Sequence, residues 1–269
     1  MRRIHVALLA VALTLPACGG AEEMDPSAKA EKIKNDLAEA DTRFRNAKEA
    51  DAEKLYLRVL DLDPSNAKGL AGLGRVRMSS KNYTKAEELL TKAAANDPQD
   101  AKIQATLGSL YDTLERPAEA ATAYGKAFSL DGNDSQYGLS YAINLKKSKQ
   151  YSEAEPILVR VSELDPQVQF VWTELADVRR ELGRLDEALK TYMKAQTTWA
   201  SDKMARAGAA IVYERQGDIR HAIDEWSHYI RMDCCSEFSN NVAKKKIMEL
   251  KVPDSQLQAE NKSTKAPPG

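Results

Sequence analysis

The chain has 269 residues, of which 43% are hydrophobic and 29% are charged. This length is enough for one large domain or two medium ones, each with an ample core. The formal net charge of −1 provides no global field that would attract nucleic acid or a membrane surface, so neither is an expected partner of the folded region.

The first 17 residues differ in kind from the rest. Two arginines, Arg2 and Arg3, precede an apolar run over residues 4–15 that is too short to span a bilayer stably. The run ends in Leu-Pro-Ala-Cys, with the cysteine at position 18. This resembles a bacterial lipoprotein signal and implies cleavage before Cys18 and lipid attachment to it. Secretion with ordinary cleavage near Ala17 and an uncleaved anchor are the open alternatives.

Residues 18–32 are predicted to hold a short tether and the start of the first helix. The segment after Cys18 is small, acidic and rich in turn formers. Asp25 followed by Pro26 is typical of a helix start, because proline is well tolerated at the first helical position. From about Ser27 onward the sequence predicts nearly continuous helix.

A 34-residue period is the strongest pattern in the chain. The period is visible at one dipeptide position, where three of the six copies read Asp-Pro. The six copies are Asp63-Pro64, Asp97-Pro98, Asp131-Gly132, Asp165-Pro166, Trp199-Ala200 and Asp233-Cys234. Proline disfavours helix at the residue before it, so the dipeptide is predicted to end a helix. The period therefore predicts six copies of one helical unit.

Within each copy, small and large residues recur at fixed positions. The second helix carries an alanine in every copy, namely Ala52, Ala86, Ala120, Ala154, Ala188 and Ala222. Four residues later a large side chain follows, namely Tyr56, Leu90, Tyr124, Leu158, Tyr192 and Trp226. The first helix carries a small residue, namely Ala40, Gly74, Gly108, Ala142, Ala176 and Ala210. Small residues let two helix axes approach closely, and the large one fills the gap toward the next copy.

The pattern resembles the tetratricopeptide repeat, a 34-residue helix–turn–helix unit. The resemblance implies an all-α, right-handed superhelical solenoid of six repeats. The predicted repeats are 33–66, 67–100, 101–134, 135–168, 169–202 and 203–236. In the first repeat Asp36 and Glu39 replace apolar anchors, so we expect its first helix to be reshaped or frayed. The fifth repeat, with its turn at Gly183 and with Trp172 as a packing residue, is expected to be the best-formed copy.

Residues 237–251 are predicted to form one amphipathic helix that caps the last repeat. Phe238, Val242, Ile247 and Leu250 would cover that repeat, while the lysines at 244–246 would face water. A binding role for those lysines is the alternative. The polar tail, 252–269, is predicted to be disordered, and whether it occupies a groove of the array stays open.

Residues for catalysis are sparse, and we expect neither an enzyme nor a cofactor. No glycine-rich phosphate loop follows a strand, and no nucleophile–base–acid set is evident. Beyond the signal the histidines are His221 and His228, which share a helix face with Glu225. Together with Cys234 they could be drawn as a metal site, but two histidines seven residues apart are poorly spaced for one ion, so an exposed polar face is preferred. Cys235, adjacent to Cys234, is expected to be a second thiol, because neighbouring cysteines bridge only with strain.

The resemblance also implies where a partner would bind. In this family ligands contact a concave surface built from the first helices, at positions 2, 5, 9, 12 and 13 of each repeat. We call these positions the first-helix face. The predicted binding residues are Lys68, Arg75, Lys102, Leu139, Ile143, Phe170, Asp177, Arg180, Met204 and Ile211. Other residues at the same positions include Asp112, Lys146, Lys147 and Thr173.

These residues predict a face that is basic early and apolar in the middle. Lys68, Arg75 and Lys102 supply the basic part. Leu139, Ile143 and Phe170 supply the apolar middle, and Met204 and Ile211 continue it toward the end. The alternative is that Leu139 and Ile143 pack between repeats. A clamp of lysine and asparagine, used by chaperone-binding members of the family, is not expected because position 9 holds no asparagine.

Taken together, the sequence predicts a lipid-anchored scaffold that binds protein and takes no small-molecule substrate. Its expected location is the inner leaflet of an outer membrane, facing the periplasm, because glycine rather than aspartate follows Cys18. A lipoprotein signal and about six such repeats are also the layout of pilotins, which assist outer-membrane secretins of type IV pili. An adaptor for cell-wall hydrolases or synthases, and a metal protein or enzyme, are the alternatives.

Overall fold

The computed structural model describes residues 24–234 and 236–251. The predicted signal peptide, Cys18, Cys235 and the predicted disordered tail lie outside the described residues. The described chain is helical throughout, and no strand occurs in it. In these same residues no helix is both long and apolar enough to cross a membrane.

The chain divides into two compact units, Met1–Pro64 and Ser65–Gly269. The N-terminal unit contains α1 (Pro26–Arg45) and α2 (Glu49–Leu62). The C-terminal unit contains α3 (Ala67–Ser79), α4 (Tyr83–Asn96), α5 (Ala101–Thr113), α6 (Pro117–Leu130), α7 (Ser135–Lys147), α8 (Tyr151–Leu164), α9 (Val171–Glu181), α10 (Leu185–Thr198), α11 (Lys203–Gln216), α12 (Ile219–Met232), a π-helical segment (Ser239–Ala243) and α13 (Lys244–Lys251).

Helix α1 begins where the sequence predicts. The Asp25 carboxylate accepts hydrogen bonds from the backbone N–H groups of Ser27 and Ala28, at 3.0 and 3.1 Å, and Pro26 is the first helical residue. The expectation that this helix is reshaped or frayed is wrong, because α1 runs unbroken for 20 residues. Asp36 is buried and bound by Arg58 of α2, with Nε–Oδ2 at 2.7 Å and Nη2–Oδ1 at 2.5 Å. A bidentate ion pair thus replaces the apolar anchor.

The recurrent small residues are where the helices of a pair touch. All six second-helix alanines are fully buried, as are the four first-helix alanines at 40, 142, 176 and 210. In the other two pairs glycine is required: a Cβ on Gly74 would lie 2.7 Å from Leu90 Cγ, and one on Gly108 would lie 2.9 Å from the Tyr124 ring. The small residue of one helix therefore makes room for the large residue of its partner.

Each helix pair turns at the same position of the repeat, through a residue with positive φ. Four of the six are not glycine, although the left-handed region costs other residues free energy. The φ values are 56° for Ala47, 60° for Lys81, 56° for Glu115, 61° for Lys149, 78° for Gly183 and 77° for Gly217.

The fifth repeat departs from its neighbours, contrary to the expectation that it is the best-formed copy. Helices α3, α5, α7 and α11 are capped by Asn66, Asp100, Asp134 and Asp202, whose side chains accept from backbone N–H groups of the first turn. The matching residue of the fifth repeat is Val168, which is buried in the core and cannot cap. Helix α9 consequently begins only at Val171, and Phe170 before it has a left-handed φ of 69°.

The sequence predicts one continuous helix for the C-terminal cap, but the structure shows a π-helical segment followed by a short α-helix. Residues 239–243 are wound as a π-helix, in which the N–H of Lys244 donates to the carbonyl of Ser239. This wider turn buries both Ser239 and Ala243 and leaves Val242 exposed. Ile247 and Leu250 pack against the cluster formed by Ala207, Ala210, Trp226, Tyr229 and Ala243, and the Phe238 ring lies 5.4 Å from that of Tyr229.

Candidate functional site

The early, basic part of the first-helix face lies on α3 and α5. Lys68 and Lys102 are exposed in the first turns of these helices, and Arg75 is half-buried in the middle of α3. All three are therefore available, at least in part, to a ligand. Arg75 has contacts within the chain, so it is not a free cation.

The middle of the face is not the apolar surface that we expected. Leu139 is only 7% exposed and belongs to the core formed with Phe128, Ala142 and Val161. Ile143 is half-buried and packs against the same core. The alternative interpretation, in which these two residues pack between helices, holds for Leu139. The Leu139 side chain is not available to a partner because it is buried. The neighbouring Gly138 has no side chain, so Phe128 and Val161 pack closely against this part of α7.

Charged side chains occupy the middle of the face instead, and they link three successive first helices. Lys147 of α7 reaches back to α5, with its Nζ 2.5 Å from Asp112 Oδ1. Lys146 of α7 reaches forward to α9, with its Nζ 3.0 Å from Asp177 Oδ2 and 2.5 Å from Glu174 Oε2. We call Asp112, Lys146, Lys147, Glu174, Asp177 and Arg180 the charged cluster.

Asp177 lies at the centre of the charged cluster. Its Oδ1 accepts a 2.5 Å hydrogen bond from the Tyr192 hydroxyl of α10 and lies 3.5 Å from Arg180 Nη2. Arg180 also pairs with Glu181, with Nη2–Oε1 at 3.0 Å. Asp177 and Arg180 are both predicted binding residues, and the structure brings them together. Their side chains are held in place before any partner arrives.

Burial alters the titration of this cluster. Burial raises the pKa of Glu174 above its ordinary value, and the ammonium of Lys146 opposes that rise. Burial lowers the pKa of Lys146, but the carboxylates of Asp177 and Glu174 outweigh it, so the pKa ends above its ordinary value. The pKa of Tyr192 is raised as well, by burial first and by the charge of Asp177 second. Lys146 and Tyr192 therefore stay protonated at neutral pH.

Two of the predicted apolar side chains are exposed, one from the middle of the face and one from its late part. Phe170, just before α9, is 42% exposed, and Met204, in the first turn of α11, is 52% exposed. Ile211 is half-buried and packs against the C-terminal core. Thr173, at another contact position, is buried, and its hydroxyl donates a 2.5 Å bond to Asp202 Oδ2. The apolar contribution of the face thus comes from Phe170 and Met204.

Glu174 is the member of this site that sequence reasoning missed. It lies outside the family's contact positions, one residue after Thr173. A partial signal existed, since Lys146 and Lys147 have acids in the repeats before and after theirs, namely Asp112, Glu174 and Asp177. Opposite charges in adjacent repeats favour ion pairs between them. These acids stand at different positions of their repeats, so the period did not single out Glu174.

The histidines of α12 do not assemble a metal site. His221 is exposed, stacks on the Tyr213 ring at 5.1 Å and has its Nδ1 2.7 Å from Asp218 Oδ2. Glu225 does not share a solvent-exposed helix face with the two histidines. Its Oε2 lies 3.1 Å from Arg206 Nη1 of α11, and its side chain is largely buried. Across the described residues, no group of three or more histidine, cysteine, aspartate or glutamate side chains could hold a metal ion.

Comparison with known proteins agrees with this architecture. Models described as tetratricopeptide repeat match residues 43–110, 78–142 and 171–197. Among curated proteins, a TPR repeat-containing protein of Treponema pallidum is 26% identical over 180 residues, which are 60% of this chain and 21% of that protein. A probable UDP-N-acetylglucosamine–peptide N-acetylglucosaminyltransferase SPINDLY of Hordeum vulgare is 31% identical over 57% of this chain. The chain spans only 17% of that protein's length.

Solved structures of similar fold cover more of the chain. PilF of Pseudomonas aeruginosa matches 81% of this chain and 99% of its own, with a TM-score of 0.65 at 17% identity. PilW, a type IV pilus biogenesis factor, matches 78% of this chain and 97% of its own, with a TM-score of 0.64 at 22% identity. YrrB, a TPR protein with an unusual peptide-binding site, matches 70% of this chain and 97% of its own, with a TM-score of 0.61 at 18% identity. The predicted all-α fold of helix–turn–helix repeats is confirmed: the chain contains tetratricopeptide repeats and has the fold of tetratricopeptide-repeat proteins.

Proposed function

We propose that this protein is a non-enzymatic scaffold of the cell envelope that binds a protein partner through its first-helix face. The observation that carries this proposal is the charged cluster, in which ion pairs between Lys147 and Asp112 and between Lys146 and Asp177 join α5, α7 and α9. A surface whose side chains are already ordered loses less conformational entropy on binding. Both signs of charge are presented, so a partner with a complementary pattern would be selected.

The face combines this charged part with an apolar one. Phe170 and Met204 are exposed large side chains at positions where the family contacts its ligands. Buried aromatic and methionine side chains commonly anchor protein interfaces. The partner segment we infer therefore carries apolar side chains next to charged ones, as an extended peptide or an amphipathic helix does.

We place the scaffold at a membrane through lipid on Cys18. This part of the proposal rests on the signal-like N-terminus, which precedes the described residues. Replacing Cys18 by alanine is expected to release the protein from the membrane fraction, whereas unchanged membrane association would contradict lipid attachment. Separating inner from outer membranes on a density gradient tests the further proposal that the anchor is in the outer membrane.

We further propose that the partner belongs to an envelope assembly system of the type IV pilus kind. The support is the similarity of fold to PilF and PilW along nearly the whole of those chains. Deleting the gene should reduce secretin multimers in the outer membrane, as seen on gels of unheated samples. Normal multimers would contradict this assignment and leave the binding scaffold itself standing.

Affinity capture with matched charge reversals tests the binding face. Lys147→Glu places a second acid beside Asp112, and Lys92→Glu on α4 places a second acid beside Glu88 in the same way. We expect Lys147→Glu to reduce recovery of the partner about fivefold and Lys92→Glu to leave it unchanged. Equal recovery with the two variants would contradict the proposed face. The identity of the recovered protein distinguishes a pilus component from a cell-wall hydrolase or synthase.

A further inference from the structure

A groove of about 490 Å³ lies between α4, α5 and α6 and is separate from the charged cluster. Its apolar walls include Ala94 and Ala95 of α4, Leu107 of α5 and Leu130 of α6. The volume is within the range of sites that hold small molecules or peptide side chains. The small side chains on α4 leave the space open.

The residue at the fourth position of the third repeat lines the groove, and this position varies among the repeats. In the second and fifth repeats that position holds Leu70, which is buried, and Trp172, which packs against two of the apolar clusters. In the third repeat it holds Gln104, which lines the groove. Gln104 is therefore polar where these two repeats place a large apolar side chain, whereas the first, fourth and sixth repeats hold Asp36, Gly138 and Arg206 at this position.

The Gln104 amide borders the groove. The residue is 4% exposed, and no other group in the described part of the chain accepts from or donates to its amide. Its amide atoms are not among the fully buried polar atoms that lack a partner, so they remain accessible from the groove. An amide offers both a donor and an acceptor, which match the C=O and N–H of a peptide backbone. The unpaired amide is thus available to a ligand in the groove.

Lys126 gives the groove its charge. It is the one charged residue among those that line the groove, it is exposed, and it makes no ion pair with any described residue. The corresponding lysine of the fifth repeat, Lys194, lies over the Trp172 ring at 5.6 Å. In the third repeat there is no such ring beneath Lys126, since Gln104 takes its place. The cation is left to face the groove, where an anion would complement it.

From these observations we propose that the groove binds a peptide segment in which an aliphatic side chain is followed by a carboxylate. The aliphatic group occupies the space between Ala94 and Leu130, the peptide backbone pairs with the Gln104 amide, and the carboxylate meets Lys126. This second site does not depend on the first-helix face, so either can fail without the other.

The test uses the full chain and the blocked tetrapeptide acetyl-Ala-Leu-Asp-Ala-amide as the probe. Saturation-transfer difference NMR reports which protons of a weak ligand touch the protein. We expect saturation to reach the leucine methyl groups of the probe. Replacing its aspartate by asparagine, or Lys126 by glutamine in the protein, should weaken the measured Kd about threefold, as loss of one exposed ion pair does.

Two groove variants and one control complete the design. Gln104→Trp, which copies Trp172, should abolish saturation transfer by filling the groove, and Gln104→Leu, which copies Leu70, should reduce it while keeping a residue that the fold accepts elsewhere. Lys92→Gln, at the position equivalent to Lys126 one repeat earlier, should leave it unchanged. The proposal is overturned if the leucine methyls receive no saturation, or if transfer is the same in the wild type, Gln104→Leu and Lys126→Gln.

Discussion

The hydroxyl of Tyr192 donates a 2.5 Å hydrogen bond to Oδ1 of Asp177, fifteen residues earlier in the same repeat. The same pair of positions recurs in the first repeat, where the Tyr56 hydroxyl donates to Asp41 at 2.6 Å. A tyrosine of the second helix thus reaches through the helix pair to a position where the family contacts ligands. Asp177 is therefore both a structural acceptor and a member of the proposed binding face.

Removing this hydroxyl should destabilise the protein. Tyr192→Phe is expected to lower the free energy of unfolding by about 1.5 kcal/mol at pH 8, because Asp177 loses a partner for its charge. Denaturant unfolding followed by circular dichroism measures the loss. The control is Tyr83→Phe, since the Tyr83 hydroxyl has no hydrogen-bond partner within the described residues. Similar losses in the two variants would argue against a specific bond.

The same variant has a defined pH dependence. Burial raises the pKa of Tyr192 above its unfolded value of about 10. A group whose pKa is raised on folding contributes stability below the unfolded pKa, and this contribution is lost as the pH rises above about 10. The wild type should therefore lose more stability than Tyr192→Phe between pH 8 and pH 11. A constant difference between the two proteins across that range would contradict the raised pKa.

The turn within each repeat provides a test of backbone strain. Lys149 has a φ of 61°, so Lys149→Gly should raise the free energy of unfolding by about 1 kcal/mol. Gly183→Ala, at the same position one repeat later, should lower it by a similar amount. Lys190→Gly in the interior of α10 is the contrast, because the same substitution there should destabilise by about 0.5–1 kcal/mol. A Lys149→Gly variant no more stable than the wild type, or a Gly183→Ala variant no less stable, would contradict the strain.

Close packing between α10 and α11 gives a coupled prediction. A Cβ on Gly208 would lie 2.3 Å from the Tyr192 ring, so Gly208→Ala should lower the free energy of unfolding by about 1–3 kcal/mol. Tyr192→Leu, which copies Leu90 and Leu158, removes that ring. In this background Gly208→Ala should cost less, and a double-mutant cycle measures the difference. Strict additivity would show that the two residues do not collide.

Phe170 links strain to the proposed binding face. It is a bulky residue with a φ of 69° and an exposed ring, a combination that costs stability. Phe170→Gly should therefore raise the free energy of unfolding by about 1 kcal/mol and, at the same time, weaken capture of the partner. A gain in stability together with a loss of binding is what we expect of a strained residue that contributes to binding. A variant that is more stable and binds equally well would remove Phe170 from the face.

The sequence predicted the elements that repeat and missed those that do not. The small residues at Gly74 and Ala222 and the large ones at Tyr192 and Trp226 were predictable because every copy solves the same packing problem. The late start of α9 was not, since it depends on Val168 turning into the core instead of capping a helix. Residues unique to one copy have no periodic counterpart to reveal their role.

The binding face was predictable in position but not in character. The contact positions came from the family resemblance, and the structure gathers Asp177 and Arg180 there. The burial of Leu139 depends on Phe128 and Val161, which close over Gly138 from neighbouring helices. The position of a residue within its repeat does not reveal how deeply side chains of the neighbouring helices bury it. Sequence therefore overestimated the apolar part of the face and missed Glu174.

Site-specific photo-cross-linking tests the central claim most directly. Met204 on α11 and Met193 on α10 are matched, being 52% and 54% exposed, but only Met204 lies on the first-helix face. Each is replaced in turn by p-benzoylphenylalanine in the full chain, and the cells are irradiated. The proposed function predicts a discrete cross-linked protein from position 204 and none from position 193. Equal adducts from both positions, or an adduct from position 193 alone, would contradict binding through the first-helix face.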